Sequence, residues 1–240
     1  MKRFPTALGM ALAIAAVVAC GSSDKDAVSP TTGAAAAPTP TPIDPTVVLA
    51  ESGRLMEETG SFHFLLNHQK GGTRLLPNLT LDEAEGDVVK PDRISAEFVG
   101  GSGGFLVKSS LITVGEDSYM TNPLTGRWET VPKDVSPLGF FDPQRGVSSM
   151  MTAVEDPVLK GSDKGVYLIE GELPAEALSP LVGLVLPGAR VSVELTISID
   201  THYLERATFG GAVKEGEIEG TIRTITLSGF GETVNIKPPQ

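Results

Sequence analysis

The sequence predicts an α+β fold: one long antiparallel sheet with a few covering helices. Three observations carry that expectation. Val191, Val193, Leu195, Ile197 and Ile199 alternate with Ser192, Glu194, Thr196 and Ser198, the period-two pattern of a strand with one dry and one wet face. Short turns separate successive strand candidates, as at Gly115-Glu116-Asp117, Asn122 to Gly126 and Asp200-Thr201-His202. Strands in sequence on such turns pair antiparallel, because parallel pairs need long crossovers. Apolar stripes at helical spacing interrupt the strands, and they supply the cover that a sheet with one dry face requires.

The chain opens with Lys2 and Arg3 ahead of an apolar run from Ala7 to Ala19. That run is shorter than the ~20 residues of a spanning helix and suits the h-region of a signal peptide. It ends in Val17-Val18-Ala19-Cys20-Gly21, the lipobox pattern of a branched residue, small residues and an obligatory cysteine. Residues 1–19 are expected to be removed, leaving Cys20 acylated as a membrane anchor. An ordinary signal peptide with an incidental cysteine is the weaker alternative, since Cys20 is the only cysteine in the chain. With that thiol acylated, an extracytoplasmic fold has no disulfide and rests on its core. Residues 20–44 are rich in Pro, Ala, Ser and Thr and read as an extended tether, reaching up to ~70 Å at ~3 Å per residue. The folded domain is expected over residues 45–240.

Asp44-Pro45 is a helix start, an N-cap acceptor followed by Pro at the first helical position. Val48, Leu55, Met56 and Thr59 then share a face, and Gly60 ends the helix. Phe62, Phe64 and Leu66 alternate with His63, Leu65 and Asn67. Further strand candidates are 94–99, 105–114, 118–121, 127–131, 166–173, 203–209, 218–227 and 233–236. Asp142-Pro143 is a second cap pair, and Val147, Met150, Met151 and Val154 behind it form one stripe at i, i+3, i+4 and i+7. A third helix is expected over about 175–186, with Leu178, Leu181, Val182 and Val185 as its stripe; Pro180 inside predicts a kink or a late start.

The formal net charge is −11, without a basic stripe, which argues against a nucleic-acid partner and against electrostatic attachment to anionic lipid. Catalytic signatures are weak. Gly100-Gly101-Ser102-Gly103-Gly104 matches G-x-S-x-G, but that motif needs a strand before it and a helix after it. Phe105-Leu106-Val107 follows instead, so a hairpin turn is the better reading. His63 and His68 are five apart on a predicted strand and point to opposite faces; His202 sits in a turn. No metal site or cofactor is expected, and Glu83, Glu85 and Asp87 around Gly86 read as a solvated edge or turn. What stands out is apolar: Phe140-Phe141, the two methionines and the 178–186 run. Ligand pockets are mostly apolar, and Met adapts to variable shapes. The expected lining is therefore Phe140, Phe141, Val147, Met150, Met151, Val154, Leu178, Leu181, Val182 and Val185.

In order along the chain stand the lipobox, the Pro-rich tether, Ser61-Phe62-His63-Phe64, Ala84-Glu85-Gly86-Asp87 and Asp117-Ser118-Tyr119-Met120. Asn122-Pro123 with Gly126-Arg127-Trp128 follows, then Asp142-Pro143 with Gly146-Val147, Gly171 with Ala175 and Ala177, and Leu227-Ser228 with Phe230-Gly231-Glu232 and Pro238-Pro239. In this set the chain resembles the LppX/LprG/LprA/LprF lipoproteins of mycobacteria and their relatives. The resemblance implies a strongly curved half-barrel sheet, similar to that of the LolA and LolB carriers, with helices on the concave side enclosing an apolar cavity. It further implies a non-enzymatic carrier of the acyl chains of lipids or glycolipids in the cell envelope. The chain departs from these members in the Gly71–Asp82 loop and the Gly-rich hairpin at Ser102, so ligand identity does not carry over. The expected partners are lipid acyl chains, the membrane through acylated Cys20, and, as a further candidate, a membrane transporter. A chaperone for lipoproteins or hydrophobic peptides, a hydrolase using Ser102, and a surface lipoprotein with a filled core are the alternatives.

Overall fold

The computed structural model describes residues 42–76, 79–132 and 146–240. Its first element begins as the sequence predicts. The Asp44 carboxylate accepts from the backbone N–H of Thr46 at 2.9 Å, Pro45 takes the first helical position, and α1 runs Pro45–Glu58. Its buried face is Val48, Leu49, Ser52, Gly53 and Met56. Leu55, expected on that face, is half-buried, and Leu49 takes the inward place.

The strands follow as β1 Ser61–Lys70, β2 Thr73–Leu76, β3 Leu79–Val89, β4 Arg93–Ser102, β5 Phe105–Val114, β6 Asp117–Thr121 and β7 Trp128–Val131. After α2, Val147–Thr152, come β8 Glu155–Gly161 and β9 Val166–Pro174. A 3-10 turn over Ala175–Leu178 leads into α3, Ser179–Val182, before β10 Arg190–Ser198, β11 Leu204–Gly210 and β12 Ile222–Ser228. All twelve strands form one curved, unclosed antiparallel sheet in the order β7-β6-β5-β4-β3-β1-β12-β11-β10-β9-β8, with β2 alongside β3. The first strand and the last are neighbours at its centre, in a register running from His63 opposite Ser228 to His68 opposite Arg223. Two local meanders are thus joined along one seam.

Register assigns the faces. Phe62, Phe64 and Leu66 pair with Val88, Gly86 and Ala84 on one side and, at Phe64 and Leu66, with Leu227 and Ile225 on the other. These residues define the inner face. Gly86 and Gly100 lie on it where strands crowd. A Cβ at Gly86 would stand 2.2 Å from the Ser95 carbonyl oxygen, and one at Gly100 would stand 2.1 Å from that of Thr80. Only glycine tolerates such an approach. The free edges are blunted: β7 is four residues long, and β8 is broken by register shifts around Pro157 and Lys160.

Several sequence expectations change here. The Gly71–Asp82 segment is not only a loop, for it contributes β2 and the start of β3. Glu83, Glu85 and Asp87 are solvated but lie mid-strand in β3, between β1 and β4, rather than at an edge or turn. The third helix is shorter than predicted because Gly183 leaves helical backbone at φ 77°, which puts Leu184 outside, 92 % exposed. The Ser179-Pro180 step does mark a junction, from 3-10 to α geometry. Residues 218–221 form a turn before β12, and 233–236 are irregular. That tail is held by the Ser61 hydroxyl donating to the Glu232 carbonyl at 2.6 Å and by Arg93 donating to the Ile236 carbonyl at 3.0 Å.

Candidate functional site

The inner face is the candidate site, and its two halves differ. Over β8–β12 it is dense. Ile169, Leu173, Val191, Val193, Leu195, Ile197, Ala207 and Phe209 are all buried; α1 rests on β8 and β11, the 3-10 turn on β9, and α2 packs against α1 and the 3-10 turn. α1 and α2 pack closely because Gly53 has no side chain; a Cβ there would lie 3.2 Å from the Ser148 hydroxyl. Val154 reaches into the space left by Gly171, where a Cβ would lie 2.6 Å from it. Over β3–β6 the inner face is mixed. Ile94, Ala96 and Leu111 are buried, whereas Leu81, Ala84, Phe98, Val107 and Met120 are half-buried.

The structure places Val147, Met150, Met151, Val154, Leu178 and Val182 together in one buried apolar cluster with the inner-face strand residues, and Val185 packs against it half-buried. Cys20, Phe140, Phe141, Asp142 and Pro143 lie outside the described residues, as does the side chain of Leu181. Val48, Leu49 and Met56 of α1 join the same cluster and were not among the predicted lining.

The Gly-rich serine sits in a hairpin. Gly103 and Gly104 take φ 57° and 86°, the pair of positive values that a two-residue turn needs, and Ser102 pairs directly with Phe105. A strand follows, not the helix of a nucleophile elbow. His63 and His68 fall on opposite faces as expected. On the outer face His63 Nδ1 lies 2.9 Å from Asp87 and Nε2 3.3 Å from Glu85. On the inner face the two ring nitrogens of His68 meet the Asp82 carbonyl at 2.7 Å and the Thr73 hydroxyl at 2.9 Å. Burial holds the His68 pKa below its ordinary value. Among the described residues no cluster of His, Cys, Asp and Glu could hold a metal ion, and no helix is long and apolar enough to cross a membrane.

One polar group on the inner face was missed. Arg223 of β12 is buried, 1 % exposed, beside the equally buried carboxylate of Glu217 at 2.7 Å. Glu217 belongs to the 211–221 loop, and its oxygens also accept from the backbone N–H groups of Val213 and Arg74, at 2.8 and 3.2 Å. Lys214 lies nearby and donates to the Val182 carbonyl at 2.6 Å; burial, aided by the Arg223 charge, lowers its pKa. A sequence signal did exist: Arg223 shares the inward parity of Ile225 and Leu227. A separate groove of about 540 Å³ opens on the outer face, with Lys160, Glu170, Glu172 and Glu194 in its lining. Its charged walls do not suit an acyl chain.

The model of the LppX_LprAFG lipoprotein family matches residues 44–236. Among solved structures, LprF from Mycobacterium bovis is 19 % identical with a TM-score of 0.64, covering 81 % of this chain and 96 % of its own. LppX from Mycobacterium tuberculosis is 18 % identical with a TM-score of 0.55, covering 80 % of this chain and 98 % of its own. At such identities the likeness is one of fold. No curated protein matches the chain.

Proposed function

The chain belongs to the LppX_LprAFG lipoprotein family, and from that premise we propose that it is a membrane-anchored, extracytoplasmic carrier of lipid acyl chains. The observation that carries the reading is the half-covered inner face. Leu81, Ala84, Phe98, Val107 and Met120 stay half-buried on β3–β6, and Leu81 and Ala84 pack directly against the buried cluster that includes β1 and β12 residues. An acyl chain laid along this trough would be withdrawn from water at a gain of ~0.8 kcal/mol per CH₂. The stripes of α2 and α3, from Val147 to Val185, would form the wall the chain abuts. Acylated Cys20 and the tether would hold the carrier at the membrane, and the chemistry is binding and release rather than catalysis.

Native mass spectrometry of full-length Cys20→Ala protein, followed by extraction, tests the binding. Acyl lipids should accompany the protein, and a chain that carries none and takes up none when lipid is added overturns the proposal. The same substitution should block acylation and cleavage or release the protein from the membrane fraction. Processing and retention like the wild type would refute the anchor. The closed packing of Met150, Met151 and Leu178, each about 1 % exposed or less, favours the filled-core surface lipoprotein as the second reading.

A further inference from the structure

Among the described residues, Arg223 is the one place on the inner face where the fold leaves strong donors unused. A guanidinium carries five N–H donors and stays charged at any accessible pH. Here Nη2 meets Glu217, while Nε and Nη1 are buried without any hydrogen-bond partner. Folded proteins satisfy almost all such groups, so a buried cation with open donors points to an acceptor that arrives from outside. Glu217 reaches only Nη2. Its Oε2 already takes Val213, Lys214 and Arg223, and its Oε1 takes Arg74, so its charge is spread over the loop backbone.

The surroundings define the ligand. Arg223 lies opposite His68 on β1 and opposite Phe209 on β11, and Ile225 is the next inward residue of its own strand. Apolar surface therefore continues from it into the core. On the other side stands Lys214, whose charge, added to that of Arg223, exceeds that of Glu217. The cover above is thin: the 211–221 loop is tied to the α3 segment by Lys214 donating to Val182 and by Leu186 N–H donating to the Val213 carbonyl at 2.8 Å.

We propose that Arg223, with Lys214 beside it, recognises the oxyanion head of an acyl amphiphile whose chain lies along the inner face. The assignment rests on the carrier reading and narrows its ligand to lipids with a phosphate- or carboxylate-type head. Loading requires the 211–221 loop and the α3 segment to part, since Arg223 is buried beneath them.

The test is calorimetric titration of delipidated full-length Cys20→Ala protein with dodecyl phosphate, dodecanol and inorganic phosphate. Dodecyl phosphate should bind at least about tenfold tighter than dodecanol, the scale of a hydrogen bond to a charged group, and inorganic phosphate should bind far more weakly. The Arg223→Met/Glu217→Gln double variant, which leaves no buried unpaired charge, should keep dodecanol affinity and lose the preference. Glu217→Gln alone should increase the preference. Equal binding of the two amphiphiles by the wild type would overturn the headgroup site and leave the carrier intact. Binding of neither would overturn the carrier itself. Inorganic phosphate binding as tightly as dodecyl phosphate would assign a free-anion site instead. If circular dichroism shows the double variant unfolded, Glu217→Gln decides: an unchanged or reduced preference overturns the proposal.

Discussion

The two meanders of the sheet use the same strand chemistry to different ends. In β8–β12 the inner face is filled, with Ile169, Leu195 and Ile197 at 0 % exposure beneath helices. In β3–β6 large buried residues such as Ile94 and Leu111 alternate with small or half-buried ones: Ala84, Gly86, Ala96 and Gly100, with Phe98, Val107 and Met120 only partly covered. One half spends its apolar surface on stability, and the other keeps some in reserve. The proposed carrier role would use both, because a uniformly packed face has no room for a guest and a uniformly open one has no fold.

Substitutions can break this contrast. The largest effect is expected at Leu195→Ala, which should cost ~2–5 kcal/mol of unfolding free energy in urea titrations. Phe98→Ala should cost ~1 kcal/mol or less because its surface is partly wet already. Similar losses at the two positions would end the comparison. Next come Val147→Trp and Val182→Trp. Both sites are closely packed, so overpacking should cost ~1–3 kcal/mol with little change in co-purified lipid. Intact stability together with expelled lipid would instead show that the binding space runs beneath the helices. Val107→Trp should do the reverse, lowering lipid content in native mass spectrometry while stability shifts by no more than ~0.5 kcal/mol.

A smaller effect is expected with pH. Burial depresses the His68 pKa in the folded state, so below about pH 6.5, the ordinary histidine value, the unfolded chain binds the proton more readily. Stability should be full above that value and decline as pH falls toward the depressed folded pKa. His68→Gln should remove this part of the acid dependence in thermal melts, and an unaltered pH profile would discount the role of His68. Smallest of all, Ser102→Ala in the hairpin should change neither lipid content nor any esterase background; loss of a measured hydrolase activity would favour the enzyme alternative.

Much of the sheet was legible because period two is robust where one face is dry. β10 shows this well, with Val191, Val193, Leu195 and Ile197 all buried. β3 escaped notice because its inward places are held by Ala84 and Gly86, too small to mark a dry face, while Glu83, Glu85 and Asp87 dominate the pattern. β8 was hidden by Pro157 and by Asp156 at a positive φ of 48°, both features of an edge rather than of a strand interior. Apolar Leu184 and Leu186 suggest a longer third helix than Gly183, at φ 77°, permits. At the candidate site, the stripes of α2 and α3 could be read from spacing. The half-buried inner face of β3–β6 could not, since burial there depends on packing between elements distant in sequence. Nor could the Arg223–Glu217 pair, since only the course of a loop brings a distant carboxylate to an inward-facing cation.

The central seam between β1 and β12 bears on how the molecule is made. Each meander can zip up locally as its strands emerge, with low contact order, whereas β1 must wait for the last strand of the chain. Until then its edge beside β3 is complete and its other edge is bare. A second nascent copy could supply the missing strand, so the expected failure of assembly is a swapped dimer exchanging β12 across the seam.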